Sequence, residues 1–201
     1  MLTTMTQWLK NYRPKSDNSV ITNKESKAAV LLLLHGDPVD PHIILTRRAN
    51  HLRNHAGEVA FPGGMKESLD KDLLATALRE TEEEIGLASS KITMLGRLPA
   101  DSPRLNSIRV TPFMGWVDAP YNLTPDPSEI ASVFNFPLSF LLEIKHYQYF
   151  WLAQEKIELP YVMYKNYKIW GFTLKVMVDM LNNTIDAQIK LRYPSLDEFQ
   201  Q

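Results

Sequence analysis

The chain has 201 residues, 44% of them hydrophobic and 22% charged, which is typical of one globular domain and excludes a disordered or fibrous chain. Its 22 Lys and Arg and 23 Asp and Glu leave a net charge of −1, so the protein has no global field for binding nucleic acid. It contains no cysteine, which excludes disulfides, thiolate metal sites and a cysteine nucleophile.

The first 27 residues are polar and mixed, without the apolar stretch of a secretory signal. Within them, Trp8, Leu9 and Tyr12 predict a short amphipathic helix that packs on the body of the protein. The longest strongly apolar run, residues 28–34, is far shorter than the roughly 20 residues that cross a bilayer. We therefore expect a cytoplasmic protein that binds neither membrane nor nucleic acid.

The next segment is typical of a β-hairpin. Residues 28–35 form a continuous apolar run of strand length, and residues 42–46 predict a second strand after a Pro-rich turn. Because the first run shows no polar alternation, we expect that strand to be buried on both faces. A short strand at residues 58–61 leads into the sharp turn at residues 62–64.

The clearest helix is predicted over residues 70–86, with Asp70 as its N-cap and Gly86 as the glycine that ends it. The residues that recur at helical spacing and would face a core are Leu74, Ala77, Leu78, Thr81 and Ile85.

Strands and helices are mixed in the second half of the chain. The strand-like stretches are residues 92–98, 109–117, 147–152 and 158–164 and the region near Lys168. The predicted helices are residues 137–142 and 172–181, and the proline-rich residues 119–129 predict a loop. This order of elements indicates an α/β or α+β fold with one core.

Acidic side chains are concentrated near the end of the helix predicted over residues 70–86. Glu80, Glu83 and Glu84 fall within about 100° of arc, so they share one helix face. They repel one another and lie where the helix dipole disfavours negative charge. A divalent cation would offset this repulsion, and oxygen ligands without thiolates favour Mg²⁺ or Mn²⁺. The alternative interpretation is a solvated acidic face.

With their surroundings these acids resemble the box of the Nudix hydrolases, which lies on a loop–helix–loop. Here the box runs from Gly64 through Asp70, Arg79-Glu80 and Glu83-Glu84 to Gly86. The interval between Asp70 and Arg79 is one residue longer than in the general box. That spacing resembles the coenzyme A pyrophosphatase subfamily, as does an adjoining upstream signature that starts at residues 44–49 and ends in the Phe-Pro-Gly-Gly of residues 61–64.

The resemblance implies a Nudix α/β/α sandwich around a mixed β-sheet at residues 28–182, with an N-terminal extension at 1–27 and a C-terminal tail at 183–201. It implies metal-dependent hydrolysis of the diphosphate of coenzyme A or its thioesters. The products would be 4′-phosphopantetheine, or its acyl form, and adenosine 3′,5′-bisphosphate. The alternatives are another substrate, such as ADP-ribose, a dinucleotide or a nucleoside triphosphate, and a non-catalytic module that binds a nucleotide.

Carried over residue by residue, the resemblance makes Glu80, Glu83 and Glu84 the metal ligands. It makes Arg79 the residue that orients these acids through ion pairs. The residues of the turn that brings the loop to the helix are Gly63 and Gly64. The general base stays open between Glu80, Glu129 of the later loop, and water on the metal alone.

Three arginines upstream of the box are candidates for binding the diphosphate or the 3′-phosphate, because guanidinium groups pair bidentately with phosphate. Arg48 and Arg53 are preferred to Arg47, and pairing with nearby acids is the alternative. We interpret His51 and His55 as loop residues, since carboxylates already satisfy a hard cation. The expected partner is a small-molecule substrate, and the expected state is a monomer or a homodimer.

Overall fold

The computed structural model describes residues 1–12, 26–102, 108–152 and 156–194. The α-helices in these ranges are α1 (Leu2–Asn11), α2 (Leu73–Ile85) and α3 (Gly171–Ile185). The first strands are β1 (Ser26–Gly36), β2 (Pro41–Arg48), β3 (Val59–Ala60), β4 (Gly63–Met65) and β5 (Ile92–Arg97). The later strands are β6 (Ile108–Val117), β7 (Ile130–Pro137), β8 (Tyr147–Leu152), β9 (Ile157–Tyr164) and β10 (Tyr167–Trp170).

The larger sheet is mixed, as predicted. Its strands follow the order β3-β2-β1-β6-β5, with β4 also paired to β1 and β7 also paired to β2. Strand β1 runs antiparallel to β2 and β4 but parallel to β6. A second sheet consists of the antiparallel strands β8, β9 and β10. Helices cover both faces of the larger sheet, which gives the sandwich expected from the sequence.

Four consecutive leucines in β1, residues 31–34, are fully buried. Because side chains alternate along a strand, the odd-numbered leucines pack with Ala77 and Ile85 of α2. The even-numbered leucines join a core that contains Met177 of α3 and Met5 of α1. The run therefore has no polar alternation because an apolar core lies against each face.

Helix α2 begins later than predicted. Its N-cap is Asp72, whose Oδ1 accepts a hydrogen bond from the backbone N–H of Ala75 at 2.8 Å. The prediction that Asp70 is the N-cap is therefore wrong, and Asp70 lies in the loop before the helix. Gly86 ends the helix with a left-handed φ of 70°, as expected for a glycine at this position.

Two later elements also differ from the sequence expectation. Strand β7 was not predicted, because a bulge opposite Arg47 and Arg48 interrupts its alternating pattern. Helix α3 continues to Ile185 instead of stopping before Asn182. The Asn182 side chain makes two hydrogen bonds to the backbone of Ile189, at 2.9 and 2.8 Å, so it fastens the following segment to the helix.

Helix α1 packs on the body as predicted, with Met5 and Leu9 buried. No helix in the described ranges is both long enough and apolar enough to cross a membrane.

Candidate active site

The C-terminal half of α2 presents its acids to the loop around β4. The backbone N–H of Gly63 donates a hydrogen bond to Glu84 Oε2 at 3.2 Å. A Cβ at Gly64 would lie 2.4 Å from Cδ of Glu80, and one at Gly63 would lie 2.3 Å from the carbonyl oxygen of Ala29. Both glycines are therefore required for the close approach of this loop to the helix and to β1, in agreement with the role predicted for the turn.

Arg79 binds Asp70 as a two-pronged ion pair. Its Nε lies 3.0 Å from Asp70 Oδ1 and its Nη2 lies 3.0 Å from Oδ2. Asp70 also accepts hydrogen bonds from the Thr76 hydroxyl at 2.9 Å and from the Glu67 backbone N–H at 2.8 Å. The hydrogen bonds from Arg79 and from the Glu67 backbone hold the pKa of the Asp70 carboxyl well below its usual range.

The longer interval before Arg79 does not disturb this pair. Asp70 lies outside the helix, and Asp72 takes the capping position in its place. Asp72 therefore caps the helix, while Asp70 in the preceding loop binds Arg79.

Arg79 also reaches the acids of the helix face. Its Nη1 lies 2.7 Å from Glu83 Oε2 and its Nη2 lies 3.0 Å from Glu80 Oε1, and Nη2 donates to the carbonyl of Met65 at 3.2 Å. The hydrogen bond to Asp70, with help from Glu80 and Glu83, raises the pKa of Arg79 further. The Arg79 guanidinium thus lies between the acids of the helix and Asp70 of the preceding loop.

Glu84 is the buried acid of the group, with 4% of its side chain exposed. Burial raises the pKa of Glu84 to about 7, although the Gly63 N–H and Arg48 favour its charged form. The negative charges of Glu80 and Glu129 raise it further. The pKa of Glu80 is also raised, first by burial and then by Glu83 and Glu129, while Arg79 opposes the change.

The loop between β6 and β7 brings Glu129 to this cluster. The backbone N–H groups of Thr124 and Asp126 donate to the carbonyls of Ile85 and Glu84 at 2.8 and 3.0 Å, which satisfies the last turn of α2. Glu129 is exposed, and its charge perturbs both Glu80 and Glu84, so it belongs to the same electrostatic cluster.

The three candidate arginines occupy different places. Arg48 Nη1 lies 3.5 Å from Glu84 Oε1, and its buried Nε has no hydrogen-bond partner among the described residues. Arg53 is exposed on the loop after β2. Arg47 pairs with Val59, a residue of the core shared with α3, so strand alternation puts Arg47 and Arg48 on opposite faces. The structure brings Arg48 to the acids and does not bring Arg47 there.

The donor chemistry of the site fits a hard divalent cation. Glu80 and Glu84 are carboxylates with raised pKa values, and a neighbouring cation would offset the cost of ionising them. Within the described ranges, no three His, Asp or Glu side chains converge closely enough to hold one ion. Glu83 in particular is exposed and paired with Arg79.

The sequence did not indicate which side chains hold the loops before and after α2 in place. Thr76 binds Asp70, and Asp126 accepts the Ser128 backbone N–H at 2.8 Å. The Asp-Pro-Ser order of residues 126–128 is a recognised turn signal and could have indicated the second contact. Nothing in the helical spacing indicates the first, because Asp70 is outside the helix.

In a comparison with known protein families, residues 25–154 match the NUDIX domain. The chain belongs to the Nudix family. Over 160 residues it is 37% identical to the uncharacterized Nudix hydrolase NudL of Photorhabdus laumondii, an alignment that covers 78% of this chain and 84% of that protein. Over 173 residues it is 38% identical to the uncharacterized Nudix hydrolase NudL of Yersinia pestis, an alignment that covers 82% of this chain and 85% of that protein.

Among solved structures, the MutT/nudix family protein from Enterococcus faecalis superposes with a TM-score of 0.55 and 16% identity, covering 92% of this chain and 70% of that one. This likeness shows the Nudix fold. The family match and the two NudL relatives make the protein a Nudix hydrolase, a class that generally uses divalent metal ions.

Proposed function

We propose that this Nudix hydrolase cleaves the diphosphate of coenzyme A or its thioesters. The observation that carries the proposal is the contact between two motifs: Arg48 of the upstream signature lies 3.5 Å from Glu84 of the box. The Gly63 N–H from the end of the same signature also binds Glu84. The segment that resembles the coenzyme A subfamily is thus part of the site itself, where it can select the substrate.

The acids of α2 would bind the metal. Glu80, Glu83 and Glu84 are the proposed ligands; Arg79 pairs with Glu80 at 3.0 Å, and the absence of a side chain at Gly64 leaves room for the Glu80 carboxylate. When bound, Mg²⁺ or Mn²⁺ would neutralise the diphosphate oxygens and make water a stronger nucleophile.

Glu129 is the proposed general base. Glu80 is engaged by Arg79 at 3.0 Å, whereas Glu129 is exposed and close enough to perturb Glu80 and Glu84. A carboxylate in this position would accept the proton of the attacking water.

Arg48 and Arg53 are proposed to bind phosphate. Arg47 and Arg48 each have a buried Nε without a partner in the described part of the chain, which is costly, and of the two it is Arg48 that lies beside Glu84. A phosphate oxygen of the substrate would satisfy its Nε. Arg53 is exposed on the loop after β2, five residues beyond Arg48 in the chain, and it is proposed to bind a more distant phosphate such as the 3′-phosphate.

A product analysis tests the proposal. Coenzyme A, an acyl-coenzyme A, ADP-ribose, a dinucleotide and a nucleoside triphosphate would each be incubated with Mg²⁺, with Mn²⁺ and with chelator, and the products separated by chromatography. We expect metal-dependent release of adenosine 3′,5′-bisphosphate from the coenzyme A substrates. Cleavage of another substrate with coenzyme A untouched would overturn the substrate assignment, and a lack of any turnover would favour a nucleotide-binding module.

A further inference from the structure

The backbone of Glu129 is hydrogen-bonded on two sides, although its side chain is exposed. Its N–H donates to the carbonyl of Asp126 at 3.1 Å, and its own carbonyl accepts from the N–H of Ala49 at 2.7 Å. Asp126 in turn donates its N–H to the carbonyl of Glu84 at 3.0 Å. Glu129 is thereby connected to the end of α2 on one side and to the end of β2 on the other.

A further contact of this segment is made by a side chain. His51 Nε2 lies 3.0 Å from the carbonyl oxygen of Ser128. Because a carbonyl only accepts, the ring nitrogen must carry the hydrogen and donate it. The N–H of Ala49 and the ring of His51 therefore hold consecutive carbonyls, those of Glu129 and Ser128, and we call this pair of bonds the 49–51 clamp.

The regular pairing of β2 with β7 ends beside this segment, and the backbone bond from Ala49 to Glu129 follows directly after its last pair. Arg47 lies opposite Ser132 and Arg48 lies opposite Ile130, so β7 carries one extra residue at the bulge. Because of the bulge, the residues that precede Ile130 are shifted by one residue in their register with β2. The regular pairing of the two strands ends at Ile130. Glu129 comes immediately before Ile130, and the His51 bond to Ser128 adds a side-chain contact one residue beyond the last backbone bond between the two segments.

We propose that His51 is a positioning residue that sets the place of Glu129 in the hydrolytic site. The inference rests on the proposed function, in which Glu129 is the general base. His51 touches neither substrate nor metal in this account and acts through the Ser128 carbonyl. Loss of its hydrogen bond leaves the Ala49 bond in place, so the loop keeps its course while the Glu129 carboxylate loses its alignment.

Three single variants separate this role from a general effect on the loop. His51→Asn removes a donor that reaches Ser128, and His51→Gln restores one, because the glutamine amide nitrogen extends about as far as Nε2. The matched control is His55→Asn, since His55 lies on the same loop but bonds to Glu58 at 2.9 Å instead of the Glu129 segment. Asparagine also suits the positive φ of 58° at this control position.

Steady-state hydrolysis of coenzyme A with Mn²⁺ gives the first readout. We expect His51→Asn to lower kcat about tenfold with KM within about twofold of wild type, because misplacing a catalytic group by about 1 Å costs up to about 100-fold and one bond of the clamp remains. His51→Gln should recover most of the loss and His55→Asn should match wild type. A rise in KM without a fall in kcat would overturn the proposal.

The second readout is a double-mutant cycle with Glu129→Gln. If His51 acts through Glu129, adding His51→Asn to Glu129→Gln should lower kcat no further. A further tenfold loss in the double variant would show that His51 acts elsewhere and would overturn the inference. A single Glu129→Gln variant with wild-type kcat would overturn it as well.

Hydrogen exchange gives a readout that does not need activity. The N–H groups of Glu129 and Ile130 both bond to the Asp126 carbonyl, so a peptide covering residues 124–133 should exchange faster in His51→Asn but not in His51→Gln or His55→Asn. Unchanged exchange in His51→Asn would refute the clamp. A wild-type protein without turnover on any substrate would instead overturn the proposed function, and the exchange data would still decide whether the clamp exists.

Discussion

Helices α2 and α3 lie on opposite faces of the same sheet, but they bury different kinds of side chain. The buried residues of α3 are Thr173, Leu174, Val176, Met177, Val178, Met180, Leu181 and Thr184. Those of α2 are Thr76, Ala77, Thr81, Glu84 and Ile85. The α3 face is an ordinary apolar core, whereas the α2 face holds a carboxylate inside the protein, which is costly unless a partner compensates it. The α3 face therefore stabilises the fold, and the α2 face carries the chemistry.

The largest expected effect is on the α2 face. Glu84→Gln should lower kcat for coenzyme A by at least about 10²-fold, because it removes a proposed ligand and its charge from the centre of the site. It should not lower the melting temperature in chelator, since it removes one charge from a repelling cluster. Parallel hydrolysis assays and thermal unfolding check both statements. Near-full activity would show that Glu84 is not a ligand.

The corresponding change on the α3 face should have the opposite profile. Met177→Ala truncates a fully buried side chain and should cost about 2–5 kcal/mol of unfolding free energy. The kcat of the folded variant should stay near wild type, because Met177 contacts the α1–α3 core rather than the acids. Denaturant unfolding and kinetics below the transition measure the two effects. A loss of kcat with an unchanged free energy of unfolding would contradict the assignment of the α3 face to stability alone.

The sequence was most informative where a regular element fixes directions. Helical spacing predicted that Glu80, Glu83 and Glu84 share a face, and the uninterrupted apolar run predicted a β1 strand buried on both sides. Spacing led to Asp70 as the N-cap, whereas Asp72 makes the capping bond to Ala75 and Asp70 is taken up by Arg79 through a contact outside the helix.

Other features of the site depend on pairings between distant segments. Strand alternation separates Arg47 from Arg48, but the sequence alone does not show which of them faces the acids. The bulge lies where β2 pairs with β7, and His51 contacts Ser128. Both features join segments that are about 80 residues apart in the chain. Such pairings are tertiary, and local patterns do not encode them.

The two faces should also differ in pH dependence. Burial raises the pKa of Glu84 to about 7, so the folded protein keeps a proton that the unfolded chain releases above pH about 4.5. The stability that comes from this proton is present below pH about 4.5 and is lost as the pH rises through 7. In chelator, the free energy of unfolding should fall across this window by an amount on the order of 3 kcal/mol.

Glu84→Gln should reduce this fall, and Glu80, whose pKa is also raised, should account for what remains. Asp70 does not contribute in this window, because its lowered pKa affects stability only at more acidic pH. Denaturant unfolding at a series of pH values measures the slope. An equal slope in wild type and Glu84→Gln would mean that Glu84 is not the group that titrates.

The smallest effect concerns substrate binding. Arg48→Ala should raise KM for coenzyme A about tenfold, because the Arg48 guanidinium lies beside Glu84 on the face of the sheet that holds the acids. Arg47→Ala should raise KM less, since Arg47 lies on the other face of the sheet. Steady-state kinetics on both variants test this difference. A larger effect of Arg47→Ala would reverse the assignment of the two arginines.

The compensation of the α2 acids by a cation is tested most directly by metal-dependent unfolding at pH 8, where Glu84 is charged. The melting temperatures of wild type and Glu84→Gln would be measured at increasing MgCl₂ and MnCl₂ concentrations, because an ion that binds only the folded state raises the melting temperature. We expect a concentration-dependent rise in wild type and little or none in Glu84→Gln. An equal rise in both proteins, or no rise in wild type, would contradict the account.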